Sequence, residues 1–289
     1  MNEMKAVMEQ YRLAVEDYLN DCFMQNVAQK TVMQAMRYSL LAGGKRIRPI
    51  LVLEFCRLCG GDWHEALPFA ASIEMVHTYS LIHDDLPCMD NDDYRRGKLT
   101  NHKVFGQANA VLAGDGLLTA AFETAAHANA KPERAVKVIA ALADAAGALG
   151  MVGGQVLDLE GEDKHLNEDE IYTVHRLKTG ALIRAACQMG VLAAGGTNEQ
   201  LQSATAYAEA LGLAFQLQDD LLDVLGDAEK MGKKTGMDEH KNTFVRLYGA
   251  DACKELVQKH TQKAIEALSV FEEKSFLQQL AEDLSKRDH

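Results

Sequence analysis

The residues of this chain best equipped for chemistry are its aspartates. One cluster runs Asp84-Asp85-Leu86-Pro87-Cys88-Met89-Asp90 and continues through Asn91-Asp92-Asp93 towards Arg95-Arg96. A second, far downstream, is Asp219-Asp220-Leu221-Leu222-Asp223. Each follows an apolar run with helical periodicity, and carboxylates gathered there repel one another and are costly to bury unless a cation offsets them. Oxygen-only ligation suits Mg2+, which keeps several waters and bridges one or two carboxylates to a substrate phosphate. The chemistry these residues point to is that of a metal-diphosphate site.

Spacing separates the two clusters. Asp219 and Asp223 are one helical turn apart, which puts Asp220 and Gln216 on the same face. Residues 215–224 contain no Lys or Arg, although an exposed acidic helix face is the alternative. In the first cluster Pro87 must end the helix near Leu86, so a loop has to bring Asp90 back. Upstream, Phe69, Ile73, Val76, Ser80 and Asp84 step by three or four, which places Asp84 and Asp85 at the C-terminal end of a buried helix. The macrodipole there is already negative, and acids in so unfavourable a position point to function rather than stability. His77 lies seven residues earlier, ~10 Å along the axis; both it and His83 are either site residues or ordinary core histidines.

Cations follow where an anion would need them: Gly43-Gly44-Lys45-Arg46-Ile47-Arg48-Pro49, Arg95-Arg96, Lys178-Thr179, Lys233-Lys234 and Lys241. A Gly-Gly turn opening a helix, with Lys45 and Arg48 three apart, offers backbone N–H groups and two charges to a diphosphate. It lacks the fuller Gly-x4-Gly-Lys-Ser/Thr pattern of a nucleotide P-loop.

The elements that must position these groups are helices. All four prolines lie before residue 133, and the rest of the chain is rich in strong helix formers. Helical periodicity covers about 3–28, 31–42, 47–59, 64–86, 102–129, 132–150, 168–193, 197–225 and 251–285, and strand-like alternation is almost absent. Thr31 and Asn198 are the expected N-caps, and Gly43-Gly44, Gly60-Gly61 and Gly195-Gly196 the expected helix ends. Gly153-Gly154 falls between apolar runs that suggest closely packed helices. Loops at 90–101 and 226–241 each follow an acid cluster, where a mobile lid would sit.

The formal net charge of -12 argues against nucleic acid as a partner. Cys56 and Cys59 form a C-x-x-C pair without a second ligand pair or strand-helix context, so buried reduced thiols are expected. No run of 18 apolar residues occurs, and a cytoplasmic protein without an integral membrane segment is expected. With no linker-like stretch, residues 1–289 are expected to be one domain.

Taken in order, Gly43-Gly44-Lys45-Arg46-Ile47-Arg48-Pro49, His77-x5-His83-Asp84-Asp85-Leu86-Pro87-x2-Asp90, Arg95-Arg96-Gly97, Gly153-Gly154-Gln155-x2-Asp158, Lys178-Thr179-Gly180 and Phe215-Gln216-x-Gln218-Asp219-Asp220-x2-Asp223 resemble the trans-prenyltransferases, the short-chain polyprenyl diphosphate synthases. Within that family the likeness is to the bacterial farnesyl diphosphate synthases, and it spans about residues 40–240. The resemblance implies an all-α, single-domain helical bundle around a deep central apolar cavity, and a homodimer. It implies three Mg2+ ions, held by Asp84, Asp90 and Asp85 and by Asp219 with Asp220 and Asp223 in support. Isopentenyl diphosphate would bind on Lys45, Arg48, His77 and Arg96, and the allylic diphosphate on Arg95, Lys178 and Lys233. Thr179 and Gln216 would flank the allylic carbons, and no protein nucleophile is required.

The same resemblance makes Tyr79 and Ser80, five and four residues before Asp84, the positions that set product length. An aromatic residue at the first of these, with the two-residue insertion in the acid motif, resembles farnesyl rather than geranylgeranyl synthases. Five residues turn a helix by ~140°, so spacing alone leaves open the face on which Tyr79 lies. The segment Asp238-Glu239-His240-Lys241-Asn242-Thr243-Phe244-Val245 is shorter than its counterpart in relatives and lacks a following proline, which puts a role for Lys241 in doubt. Alternatives are a geranylgeranyl synthase, a non-catalytic helical partner subunit, and a metal-dependent phosphohydrolase using the same acids.

Overall fold

The computed structural model describes residues 3–25, 27–225 and 242–286. They are almost wholly helical: α1 (Glu3–Asp21), α2 (Lys30–Leu40), α3 (Ile47–Leu58), α4 (Leu67–Asp84), α5 (Asn101–Phe105), α6 (Gln107–Ala126), α7 (Pro132–Ala146), α8 (Met151–Gly161), α9 (Glu168–His175), α10 (Ala181–Ala194), α11 (Asn198–Leu225), then α12 (Phe244–Tyr248), α13 (Ala250–Ala267) and α14 (Ser275–Ser285). A π turn, Arg176–Gly180, joins α9 to α10, and a 3-10 turn, Leu268–Val270, follows α13. The expected all-α class holds. Two-residue strands β1 (Tyr94–Arg95) and β2 (Lys98–Leu99) pair antiparallel inside the loop after the first acid cluster.

The chain gathers into two compact units, Met1–Ile139 with Leu192–Gly195, and Ala140–Val191 with Gly196–His289. In the first, α4 is the core helix. Every residue from Phe69 to Val76 is buried, so this stretch keeps no solvent face. α3 and α6 pack against it, and α6 does so with Ala110, Ala113, Gly114, Leu117 and Ala121, a helical stripe small enough for close approach. In the second unit α11 lies along α13. Ile171, Leu217, Leu221, Phe244, Cys253 and Val257 form a buried cluster that ties α9, α11, α12 and α13 together, each large aliphatic side chain contributing about 1.5–3 kcal/mol.

The helix boundaries differ from the periodicity where local chemistry intervenes. The expected 102–129 helix is broken at Gly106, whose φ of 82° is left-handed, and 251–285 is broken after Val270. α8 and α12 had no predicted span of their own. α2 begins at Lys30 after Gln29 without a side-chain cap, so Thr31 is not its N-cap. Asn198 is not one either: Thr197 Oγ1 accepts from Gln200 N–H at 3.2 Å while Gln200 Oε1 accepts from Thr197 N–H at 2.9 Å. That reciprocal pair is a capping box, readable from Thr-x-x-Gln. The glycine stops hold, with Gly43, Gly60 and Gly195 all at positive φ. Among the described residues one stretch, 132–161, is long and apolar enough to cross a membrane by length and composition. It is two helices, α7 and α8, parted at residues 147–150.

Candidate active site

Where α4 stops, the chain doubles back. Leu86 N–H donates to His83 O at 3.1 Å, Met89 N–H to Leu86 O at 2.9 Å, and Asp90 N–H to Asp84 O at 2.9 Å. The turn forced by Pro87 thus satisfies carbonyls that a helix end leaves orphaned, and it returns Asp90 to Asp84 as the sequence required. Asp84 is half-buried and Asp90 exposed. Asp85 differs: it is buried, and its Oδ1 lies 2.6 Å from Arg95, which also reaches Asp92 at 3.3 Å. Burial pushes the Asp85 carboxyl above its usual range, and the Arg95 guanidinium opposes this.

A cationic turn lies in the same unit. Gly43 and Gly44 have φ of 87° and 131°, and Arg46 itself is left-handed at 51°. Arg46 is not at the surface. Its guanidinium is buried against Glu16 at 2.8 Å, Glu74 at 2.6 Å and Leu40 O at 2.7 Å, which leaves Lys45 exposed and Arg48 half-buried on either side. Arg96 donates to Gly43 O, and the φ of 131° at Gly44 is one that favours glycine. His77 joins this group. Burial first, then Arg48, Arg96, Arg95 and Arg46, hold its imidazole well below the ordinary 6.5, making it a neutral hydrogen-bonding group among guanidinium charges.

The hairpin carrying Arg95 and Arg96 is pinned by residues that belong to no motif. Thr100 Oγ1 donates to Asp92 O at 2.8 Å, Asn101 Nδ2 donates to Ala35 O and Ser39 Oγ at 2.8 Å each, and Tyr38 OH donates to Leu99 O at 2.8 Å. No spacing in the chain announces the Asn101 and Tyr38 contacts, which reach across some 60 residues. Tyr79 is buried with its ring 5.7 Å from that of His83, edge to face. Ser80 Oγ donates back to His77 O at 2.9 Å.

In the second unit Lys178 and Thr179 stand on the π turn, a geometry that recurs at functional sites. Lys178 Nζ is 2.5 Å from Asp158 Oδ2. A Cβ on Gly154 would lie 2.6 Å from Lys178 Cα, which gives Gly153-Gly154-Gln155-x2-Asp158 its mechanical sense: the glycine lets α8 close on the turn and Asp158, four residues on, holds the lysine. On α11, Asp219 is half-buried. Asp220 is buried, and its Oδ2 accepts from Phe244 N–H at 2.9 Å where α12 begins. Gln216 Oε1 and Gln155 Nε2 are buried with no hydrogen-bond partner among the described residues, a state that polar atoms rarely keep without a ligand or water. Asp223 lies on the last turn of α11, but its side chain is outside the described residues, as are Lys233, Lys241 and the 226–241 loop.

The donor set fits magnesium. Among the described residues no three His, Cys, Asp or Glu side chains close into a metal cage, and a magnesium ion that shares carboxylates with a substrate phosphate needs none. Cys56 is buried and Cys59 half-buried, both as free thiols, and burial is the main cause pushing Cys56 up to about 12 and Cys59 to about 11.

An all-helical protein with acids at a broken helix end, guanidinium groups around a neutral histidine and a lysine on a π turn is one laid out for anionic, phosphorylated substrates. A sequence model described as polyprenyl synthetase matches residues 29–284, and the chain belongs to that family. It is 47% identical over 247 residues to farnesyl diphosphate synthase of Micrococcus luteus, covering 85% of each chain. It is equally, 47%, identical over 252 residues to geranylgeranyl pyrophosphate synthase 3, chloroplastic, of Arabidopsis thaliana, covering 84% of this chain and 69% of that one. The solved geranyltransferase of Legionella pneumophila superposes with a TM-score of 0.89 at 35% identity, over 99% of this chain and 97% of that one.

Proposed function

We propose that this protein is a single-domain prenyltransferase that condenses isopentenyl diphosphate with dimethylallyl and then geranyl diphosphate to give farnesyl diphosphate. The observation that carries the proposal is the cationic turn, with Arg96 donating to Gly43 O beside exposed Lys45 and half-buried Arg48, in the unit that also places Asp84 beside Asp90. Lys45, Arg48, His77 and Arg96 bind isopentenyl diphosphate as an anion without metal. Arg95, Lys178 and Lys233 hold the allylic diphosphate. Asp84, Asp90 and Asp219 would hold magnesium ions, three per site, with Asp85, Asp220 and Asp223 supporting them. When bound, magnesium supplies Lewis-acid neutralisation of the departing diphosphate. The allylic C–O bond breaks, the double bond of isopentenyl diphosphate attacks the resulting cation, and a proton leaves to the released diphosphate. Thr179 and Gln216 flank the cation, the buried Gln216 Oε1 facing developing positive charge, and water must be excluded there.

A cytoplasmic homodimer is part of the same reading. Val152, Val156 and Leu159 on α8 are 42%, 49% and 37% exposed at i, i+4 and i+7, an apolar stripe that a second copy would cover; sedimentation at twice the chain mass tests this. Incubation with dimethylallyl and isopentenyl diphosphates and Mg2+, followed by chromatography, tests the activity. A fifteen-carbon product is expected. A twenty-carbon product would favour the second reading, geranylgeranyl synthesis, which the equal identity to the Arabidopsis relative supports; phosphate release without isopentenyl diphosphate would refute both.

A further inference from the structure

We propose that His83 and Gly114 set product length by fixing the ring of Tyr79, an inference that rests on the reading of Tyr79 as the residue that stops the growing chain. Tyr79 is only 6% exposed, and its hydroxyl makes no hydrogen bond to a described residue, so packing alone holds its ring. His83, one turn further along α4 and on the same side, contributes to that packing through the edge-to-face contact at 5.7 Å and 79°. His83 is itself held. Its Nε2 lies 3.1 Å from Val111 O, and a carbonyl only accepts, so Nε2 carries the proton and donates. Asp115 Oδ1, 4.0 Å away and largely exposed, adds a weak second attraction.

The opposing residue on α6 is Gly114. A Cβ built there would overlap the His83 ring, with even the more distant Cε1 at 2.8 Å. The stripe around it, Ala110, Ala113 and Leu117, carries side chains; the glycine stands where the imidazole enters. The order of support is therefore Gly114, His83, Tyr79. Neither Gly114 nor His83 needs to touch substrate, and both act as positioning residues.

The test measures product distributions, kcat and melting temperatures for Tyr79→Ala, His83→Ala, Gly114→Ala, Tyr79→Ala/His83→Ala and Gly114→Ala/His83→Ala. With the aromatic edge removed, the ratio of products longer than fifteen carbons should rise by roughly two- to tenfold in His83→Ala, the worth of one such contact as a population ratio. Tyr79→Ala/His83→Ala should match Tyr79→Ala, because His83 acts only through that ring. Gly114→Ala should also lengthen the product, and Gly114→Ala/His83→Ala should match His83→Ala, because the collision partner is gone; a misfolded Gly114→Ala leaves the decision with the two His83 variants. If Tyr79→Ala lengthens the product while His83→Ala leaves it unchanged, the support role is refuted and the Tyr79 reading stands. Equal lengthening by His83→Ala with and without Tyr79 also refutes it. Unchanged products in Tyr79→Ala overturn the underlying reading and this inference with it.

Discussion

Replacing Arg46 with Met tests how the cationic turn is held, separately from the groups assigned to substrate. Arg46 lies between Lys45 and Arg48, but its guanidinium is fully buried and spans Glu16, Glu74 and the Leu40 carbonyl. Methionine roughly keeps the volume of the stem and removes the charge, so Glu74, whose side chain is 3% exposed, loses its counter-ion. Breaking one side of a buried pair costs about 3–5 kcal/mol, out of a total stability of about 5–15 kcal/mol. At about 2 °C per kcal/mol for a chain of this size, calorimetry should show the melting temperature falling by roughly 6–10 °C. Arg46→Met/Glu74→Gln should recover most of that loss, since a neutral amide no longer needs a cation, while Glu16, 18% exposed, can turn to water. Because the turn also aims Lys45 and Arg48, KM for isopentenyl diphosphate should rise by roughly tenfold or more in the single variant, with a smaller change in kcat. The reasoning is refuted if the single variant loses less than about 1 kcal/mol, the worth of a solvent-screened pair, or if the double variant is no more stable than the single.

Four further outcomes are expected. Asp84→Ala and Asp219→Ala should each abolish condensation while leaving the metal-free melting temperature almost unchanged, because removing an acid from a cluster relieves repulsion; a large loss of stability without Mg2+ contradicts this. His77 binds its proton less readily folded than unfolded, so its contribution is intact above about pH 6.5 and lost as pH falls below that. Melting curves from about pH 7.5 to about pH 5 should therefore show His77→Gln losing less stability than the parent. Gly154→Ala places a Cβ against the Lys178 backbone and should lower kcat/KM by about a hundredfold; unchanged turnover removes the steric account of that glycine. Alkylation of the folded protein at about pH 8 should reach exposed Cys88 well before Cys56 and Cys59, whose thiols are pushed up to about 12 and about 11, as peptide mapping would show.

The two aspartate pairs show what a sequence discloses and what it withholds. That Asp84 and Asp85 end a core helix was legible, because the apolar steps from Phe69 to Asp84 and the stop at Pro87 are local patterns. That Asp90 folds back to Asp84 O was legible for the same reason. The division of labour within each pair was not. Adjacent helical residues point about 100° apart, so the two members of each Asp-Asp pair meet different neighbours. In both motifs it is the second that turns inward: Asp85 grips Arg95 and so ties the hairpin that follows it, and Asp220 receives Phe244 N–H and so ties α12. Each tie reaches a segment 10 or 24 residues away, a distance at which periodicity carries no signal. The repeated Asp-Asp therefore reads as two functions fused in one dipeptide, a first acid that is half-buried at the site and a second that anchors the chain leading away from it. On that account Asp85→Asn should weaken the Arg95 pairing and raise KM for the allylic substrate more than it lowers metal affinity, whereas Asp84→Asn should do the reverse; equal effects of the two on metal titration would refute the division.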